Sequence, residues 1–279
     1  MGVKKAGKLK IHYNRKEEKT AELVTTACEK ALQLAGEDWG LKAPDNCHVY
    51  IMTSWQGFIF NSTPFKWKIT LYLTLPLWVP RIRRTWPDST AWTQRFGHRI
   101  AIGIKPPRLM ATKDRKVSSI LTVEEPDPEK EIQNITCHEI IHACSAHLIL
   151  PMWLNEGIAI FSTEHFAEKP VVRQETLQLV KERAPKKEPP TYQNIAKMRR
   201  QAIAYHDSRG YWIVRYLEEN HPGFLKDLLS MHRYEDEIEQ KIAEVLGMER
   251  EYLWAQIDDI ITGYYLEDVE DVPPAAEPD

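Results

Sequence analysis

Two short segments near the N-terminus alternate polar and apolar residues, and the chain between them carries apolar residues at helical spacing. The alternation in residues 8–13 and 47–53 predicts two strands, and the pattern in residues 16–40 predicts a helix. Gly36 and Gly40 mark the end of that helix. Because the helix connects the two strands, we expect a mixed sheet with the helix packed across it.

The pattern is harder to interpret between residues 55 and 98. Residues 66–75 alternate well enough to predict a strand, but prolines interrupt the surrounding chain, so we expect a loop-rich insertion. Five tryptophans lie in this region: Trp55, Trp67, Trp78, Trp86 and Trp92. They are typical of a satellite core that anchors long loops, and the alternative is an aromatic wall beside an active site. The basic residues of segment 81–84 are typical of a solvated face, and the alternative is a binding patch.

Residues 97–104 predict a further strand, and for residues 105–128 we expect a mobile connection. From residue 128 onward the chain is mostly helical, with helices predicted over residues 128–148, 152–168, 171–183, 201–220, 222–231, 235–246 and 249–264.

The predicted fold class is α+β, with three parts. Residues 1–169 form an N-terminal lobe that contains the sheet, and residues 170–266 form a helical C-terminal lobe, punctuated by the proline-rich segment 184–190. Residues 267–279 are acidic and contain three prolines, so we expect a disordered tail.

Composition and charge exclude several classes of protein. The chain is 43% hydrophobic and 28% charged with a formal net charge of −3, which gives no global reason to expect binding to nucleic acid or to an anionic membrane. The basic start lacks the apolar run of a secretory signal, and no segment approaches about eighteen uninterrupted apolar residues. We therefore expect a soluble, cytoplasmic protein without a membrane partner. The sequence does not predict an oligomeric state.

The predicted helix 128–148 carries the candidate chemistry. His138 and His142 are four residues apart, so both imidazoles can reach one ion from the same helix face, at Zn–N distances of about 2.0–2.1 Å. Glu139 lies about 100° further round the helix, where it could act on a water in an open position of the metal. The spacing therefore favours half of a zinc hydrolase site.

A third ligand is expected from the next helix. Pro151 ends the first helix, and the helix that begins at Met152 directs Glu156 back towards it. Two histidines and one carboxylate leave the fourth position of a zinc ion for water. We interpret Cys137 and Cys144, two turns apart, as buried packing residues, and a cysteine ligand is the alternative.

These residues resemble the gluzincins, the clan of zinc metallopeptidases that includes thermolysin. The resemblance rests on His138-Glu139-x-x-His142 followed by Trp153-Leu154-Asn155-Glu156-Gly157-x-Ala159. It implies a zincin-like fold, one Zn²⁺ ion held by the two histidines and Glu156, Glu139 as general base, and a peptide or protein substrate. It also implies that the predicted strand 97–104 lies at the rim of the cleft, where an exposed edge can pair with an extended substrate, and the alternative is a plain edge strand. The link over residues 143–155 is short for the clan, and Ile160 replaces an aspartate, so the chain looks like a divergent member.

A further donor for the reaction's oxyanion is expected from the helix 201–220. Ala204-Tyr205-x-x-Ser208 resembles a stretch in gluzincin-like families where a helix returns to the cleft. We predict Tyr205 as this donor and His206 as the second choice, with Arg209 as a clamp for a substrate carboxylate. The alternative for Tyr205 is an aromatic residue of the core.

The expected function is zinc-dependent hydrolysis of peptide bonds. A Gly-x-Met-Glu-Asn segment, which captures the substrate amine in related aminopeptidases, does not occur in the sequence, and this favours an endopeptidase. The alternative function is a zinc-stabilised module that binds peptides or proteins with little or no activity. Hydrolysis of another kind of amide also stays open.

Overall fold

The computed structural model describes residues 1–87, 89–110, 121–183, 200–231 and 235–270, together with Thr191 and Met198. Its architecture is α+β, as the sequence predicts, with one five-stranded mixed sheet and ten helices among these residues. None of those helices is both long and apolar enough to span a membrane.

The sheet has the strand order β1-β2-β3-β5-β4. Its strands are β1 Gly2–Ala6, β2 Leu9–Tyr13, β3 Cys47–Ile51, β4 Ala91–Phe96 and β5 Arg99–Ile104. The central strands β2, β3 and β5 are parallel, whereas β1 and β4 each form an antiparallel hairpin at the two ends of the sheet. Each hairpin turns on a glycine with positive φ, Gly7 at 55° and Gly97 at 60°, a conformation that other residues adopt at a cost.

The helices follow the sequence prediction closely after residue 128. They are α1 Glu18–Trp39, α2 Trp55–Ser62, α3 Phe65–Thr85, α4 Pro128–Ser145, α5 Met152–Ala167, α6 Glu175–Arg183, α7 Arg200–Asn220, α8 Phe224–Ser230, α9 Glu235–Val245 and α10 Leu253–Glu270. The last helix continues into the segment predicted as a disordered tail, and residues 271–279 lie outside the described residues. The proline-rich segment 184–190 lies outside them too.

The main hydrophobic core lies on one face of the sheet. Alternate strand residues such as Ile11, Val49 and Ile102 are fully buried there, and α1, α4, α5 and α7 pack in succession behind them. Each fully buried aliphatic side chain contributes about 1.5–3 kcal/mol. This cluster includes residues of both predicted lobes. The division into lobes itself stays a prediction.

All four cysteines are buried and free. Cys137 and Cys144 lie in the main core at 0% and 1% exposure, which confirms the predicted packing role.

The prediction of a strand over residues 66–75 is wrong, and so is that of a loop-rich insertion, because α2 and α3 occupy this region. Apolar residues at every second position of this segment lie on two opposite faces of the helix. The same alternation is expected of a strand, so the sequence pattern alone does not distinguish the two structures. Pro76 and Pro80 lie inside α3 instead of ending it. On the second face of the sheet a smaller cluster forms around Tyr50 and Phe58, and Trp55, Trp86 and Trp92 pack against it, which confirms the satellite core for these three tryptophans.

The connection to α4 is partly anchored. Lys105 is 2% exposed, and Arg108 is paired with Glu17 of the 3₁₀ turn before α1. Further on, Thr122 forms a single bridge with Val172. The predicted mobile connection 105–128 therefore includes fixed points on both sides of residues 111–120, which lie outside the described residues.

Candidate metal centre

Helix α4 holds two of the predicted ligands one turn apart. The Asp127 carboxylate caps its start by accepting a hydrogen bond from the Glu129 backbone N–H at 2.9 Å, and Pro128 takes the first helical position. Ile140 and Ile141, on the inner side of the helix, are fully buried in the core. Their burial directs the imidazoles of His138 and His142 to the same side, with 3.0 Å between their Nε2 atoms.

Helix α5 brings the third predicted ligand to these imidazoles. The Glu156 Oε2 atom lies 3.5 Å from Nε2 of His138 and 3.3 Å from Nε2 of His142. The three donor atoms lie within 4.8 Å of one another, and none of the three residues is exposed. Residues of two consecutive helices thus meet as the sequence predicts.

Close contact between α5 and α7 fixes this arrangement. A Cβ on Gly157, the residue after Glu156, would lie 2.4 Å from the carbonyl oxygen of Gly210 on α7. A Cβ on Gly210 would lie 2.2 Å from the carbonyl oxygen of Trp153 on α5. Both glycines are required because the two helix backbones touch at this crossing. Glu156 is therefore held in place by a rigid helix pair.

The three donor atoms fit a single zinc ion. Ligand atoms of a tetrahedral ion with bonds of about 2.0–2.1 Å are about 3.3–3.4 Å apart. The observed separations of 3.0, 3.3 and 3.5 Å are centred on this value. Two imidazole nitrogens and a carboxylate oxygen are also the donor set of catalytic zinc sites, which keep a fourth position for water.

The electrostatics of the triad favour a cation among its members. Burial alone would lower the pKa of His142, but the adjacent Glu156 carboxylate outweighs it and raises the pKa to about 9. Burial opposes ionisation of Glu156 as well, yet the charge of His142 and the hydrogen bonds from both histidines hold the pKa of Glu156 well below its usual range. A metal cation would take the place of the positive charge that protonated His142 supplies next to Glu156.

Glu139 points to a neighbouring element instead of to the triad. The hydroxyl of Thr93, on strand β4, donates a hydrogen bond to its carboxylate. A second contact joins the same strand to the end of α4, since Arg95 Nη1 donates to the carbonyl oxygen of Ala146 at 2.6 Å. The sequence reasoning missed both residues, because no local pattern predicts that β4 lies next to α4.

The strand beside the metal helix differs from the one that the sequence suggested. The predicted strand 97–104 forms β5, which lies between β3 and β4, so both the expectation of a substrate-pairing edge and that of a plain edge are wrong for this strand. The edge strand on this side of the sheet is β4, which pairs with β5 in an antiparallel hairpin that turns at Gly97. Among the described residues the outer side of β4 carries no further strand.

Asp207 is a further acidic residue near the centre that the sequence reasoning did not single out. Burial raises its pKa well above the usual range, the negative charge of Glu156 raises it further, and His142 opposes the shift. Asp207 therefore lies within electrostatic range of two of the three triad residues. It precedes Gly210 by one turn of α7, so the close helix crossing brings it towards the triad.

The predicted oxyanion donors lie on α7 as well. Tyr205 is 4% exposed and belongs to the main core, with its ring centroid 4.9 Å from that of His206. Burial and then the charge of Arg209 lower the pKa of His206 to about 4, so this histidine is neutral at pH 7 and would donate only through its N–H. The roles of Tyr205 and His206 stay predictions.

The prediction that Arg209 clamps a substrate carboxylate is wrong. Arg209 is 1% exposed, and its Nε atom donates to Asp258 Oδ1 at 2.6 Å while its guanidinium lies over the Trp254 ring. Arg209 therefore joins α7 to α10 through a buried ion pair, which leaves its charge already paired with a carboxylate of the protein.

Asn155 and Glu164, which lie on either side of Glu156 in the sequence of α5, make structural contacts. Asn155 Oδ1 accepts a hydrogen bond from the Ser145 hydroxyl at 2.8 Å, which ties the start of α5 to the end of α4. Glu164 accepts hydrogen bonds from the Tyr211 hydroxyl at 2.9 Å and from the Val171 backbone at 3.1 Å.

Comparison with known proteins adds no relative, since no family model, no curated protein and no solved structure matches the chain.

Proposed function

We propose that this protein is a zinc-dependent peptide hydrolase of the gluzincin type, with a zincin-like fold. The observation that carries the proposal is the tetrahedral spacing of three donor atoms from His138, His142 and Glu156. Two features support the fold assignment: the antiparallel edge strand β4 beside helix α4, and helix α5, which supplies the carboxylate of Glu156. Activity at this site is what the resemblance in the sequence implies.

The two histidines and Glu156 would hold the ion. When bound, zinc supplies a Lewis acid that lowers the pKa of a coordinated water and polarises a carbonyl group. Glu139 would take the proton from the attacking water and return it to the leaving amine, since it lies next to His138 on the same helix and does not belong to the donor triad. The Thr93 hydroxyl donates to the Glu139 carboxylate and so orients it.

The edge strand offers a binding mode for an extended peptide. Strand β4 pairs with β5 on one side, and Thr93 at its middle contacts Glu139. A substrate strand added to the outer side of β4 would bring its peptide bonds past the general base. This mode favours cleavage within a chain. Tyr205 or His206 would supply an additional donor to the oxyanion.

The test is digestion of an unstructured protein by the wild type and by Glu139→Gln, with and without a chelator. We expect wild-type cleavage that the chelator removes and zinc restores, and a loss of about 10²–10⁴-fold in Glu139→Gln, which corresponds to the usual contribution of a general base. Zinc per chain should be unchanged in this variant. Full activity of Glu139→Gln contradicts the proposal.

The same experiment distinguishes the alternative function. A zinc-stabilised binding module would retain zinc in both proteins and cleave no substrate in either. The presence of Glu139 beside a donor set with three protein ligands supports the hydrolase, because structural zinc sites are usually closed by four protein ligands.

A further inference from the structure

Helix α3 exposes a continuous apolar stripe. Phe65, Ile69, Tyr72, Leu73 and Leu77 have exposed fractions of 84%, 69%, 62%, 77% and 82%. They follow one another at intervals of four, three, one and four residues, which places them within an arc of about 140° on one side of the helix, over a length of about 18 Å at 1.5 Å per residue. The helix therefore presents to its surroundings the kind of face that helices normally bury.

The inward side of α3 makes only a shallow contact with the protein. Leu71 and Ile82 pack against the small cluster on the second face of the sheet. Among the α3 residues whose side chains the structure describes, none is buried. Other large exposed hydrophobic residues, such as Val3, Val123 and Tyr252, occur singly on different elements, which is normal for a protein surface. A contiguous apolar stripe marks an interaction surface.

The charge of this region indicates what covers the stripe. Residues 46–87 contain no Asp or Glu, although the whole chain has a net charge of −3. Their basic residues lie at the two ends of α3: Lys66, Lys68, Arg81, Arg83 and Arg84. An apolar stripe with aromatic residues and with basic ends matches a bilayer, whose acyl interior is apolar and whose anionic headgroups attract Lys and Arg.

We propose that α3 binds to the surface of a membrane that contains anionic lipids, lying in its plane with the apolar stripe at the boundary of headgroups and acyl chains. Such a helix lies on the membrane surface and does not cross the bilayer. The overall charge, which gave no reason to expect a membrane partner, averages over this local excess of basic residues.

The position of α3 connects this surface with the rest of the molecule. The chain leaves α3 and enters β4, and the ring of Trp67 lies 6.4 Å from that of Phe96 at the end of β4. Membrane binding through α3 would therefore bring the edge strand close to the bilayer. The proposal itself does not depend on the function of the metal centre.

The test is co-sedimentation of the full-length protein with phosphatidylcholine vesicles, with and without phosphatidylglycerol. We expect binding to the anionic vesicles that weakens at high salt. The triple variant Ile69→Ser/Leu73→Ser/Leu77→Ser should bind at least about tenfold more weakly, because it removes three large apolar contacts. The variant Lys66→Gln/Lys68→Gln should lose about fivefold per charge, on anionic vesicles alone.

The matched control is Val3→Ser/Met231→Ser/Tyr252→Ser, which removes three hydrophobic residues of 52%, 49% and 48% exposure from other elements. It should bind vesicles as the wild type does. Circular dichroism and thermal unfolding check that every variant folds. The proposal is overturned if wild-type protein binds neither vesicle, or if the control loses as much binding as the α3 variant. Self-association of the wild type that the α3 substitutions abolish, without vesicle binding, would also overturn it and identify a second copy as the occupant.

Discussion

Helices α4 and α3 are similar in length, 18 and 21 residues, and use their faces in opposite ways. Helix α4 buries its apolar residues in the main core and leaves His138, Glu139 and His142 at a partly open side. Helix α3 packs through few residues and leaves its apolar residues exposed. Polar residues that gather at a partly open site indicate chemistry, whereas apolar residues that face water indicate a missing neighbour.

The largest expected effect concerns the metal side of this comparison. Glu156→Gln replaces a charged ligand by a neutral one. Losing a residue that only hydrogen-bonds a ligand lowers metal affinity by up to about a hundredfold, so we expect zinc affinity to fall by at least that factor here. Competition with a chromogenic chelator measures it. Glu168→Gln, at the exposed C-terminal end of α5, is the control and should keep wild-type affinity. Equal affinity in the two variants would exclude Glu156 as a ligand.

The next effect concerns the close crossing of α5 and α7. Gly210→Ala places a Cβ at 2.2 Å from a backbone oxygen, so we expect destabilisation of about 1–3 kcal/mol or more, measured by urea unfolding. Gly36→Ala in α1 is the control, because its Cβ would lie 3.9 Å from the carbonyl oxygen of Leu41, an ordinary contact. This substitution should be neutral or stabilise the protein by about 0.4–1 kcal/mol. Similar stabilities of the two variants would contradict the tight crossing.

A smaller effect is expected at the edge strand. Thr93→Val removes the hydroxyl that donates to Glu139, and we expect kcat/KM to fall by about tenfold, equivalent to about 1.4 kcal/mol, the net worth of one such hydrogen bond. Zinc content should not change. Thr93→Ser keeps the hydroxyl and should recover most of the activity. A serine variant as slow as the valine variant would assign the loss to packing.

The smallest effect is expected on α3. Leu77→Ser should change the free energy of unfolding by no more than about 0.5 kcal/mol, because Leu77 is 82% exposed. Leu154→Ala in α5, at 0% exposure, should cost about 2–5 kcal/mol. Thermal or urea unfolding compares them. A large loss in Leu77→Ser would mean that α3 is covered within the protein itself.

The sequence predicted the parts of the molecule whose spacing is fixed by local geometry. The four-residue interval between His138 and His142 needs only a helix, and the break at Pro151 is enough to return Glu156 to them. Strands β2, β3 and β5 and the helices after residue 128 were likewise predicted from local periodicity, whereas β1 and β4 were not predicted.

The remaining features depend on contacts between distant segments. Thr93 meets Glu139 only because β4 folds back on β5, and Asp207 approaches the triad only because Gly157 and Gly210 let two backbones touch. Helix α3 was misinterpreted because it is apolar on two faces, a pattern that fits a strand as well as a helix. Local patterns alone contain no information on such pairings.

X-ray absorption at the zinc edge of the purified wild-type protein tests the central claim most directly, together with the zinc content per chain. We predict one zinc ion per chain, bound by two imidazole nitrogens and by oxygen atoms, of which one comes from Glu156 and one from water. A sulfur ligand in the spectrum, or a protein that binds no zinc when zinc is supplied, would contradict the proposed site.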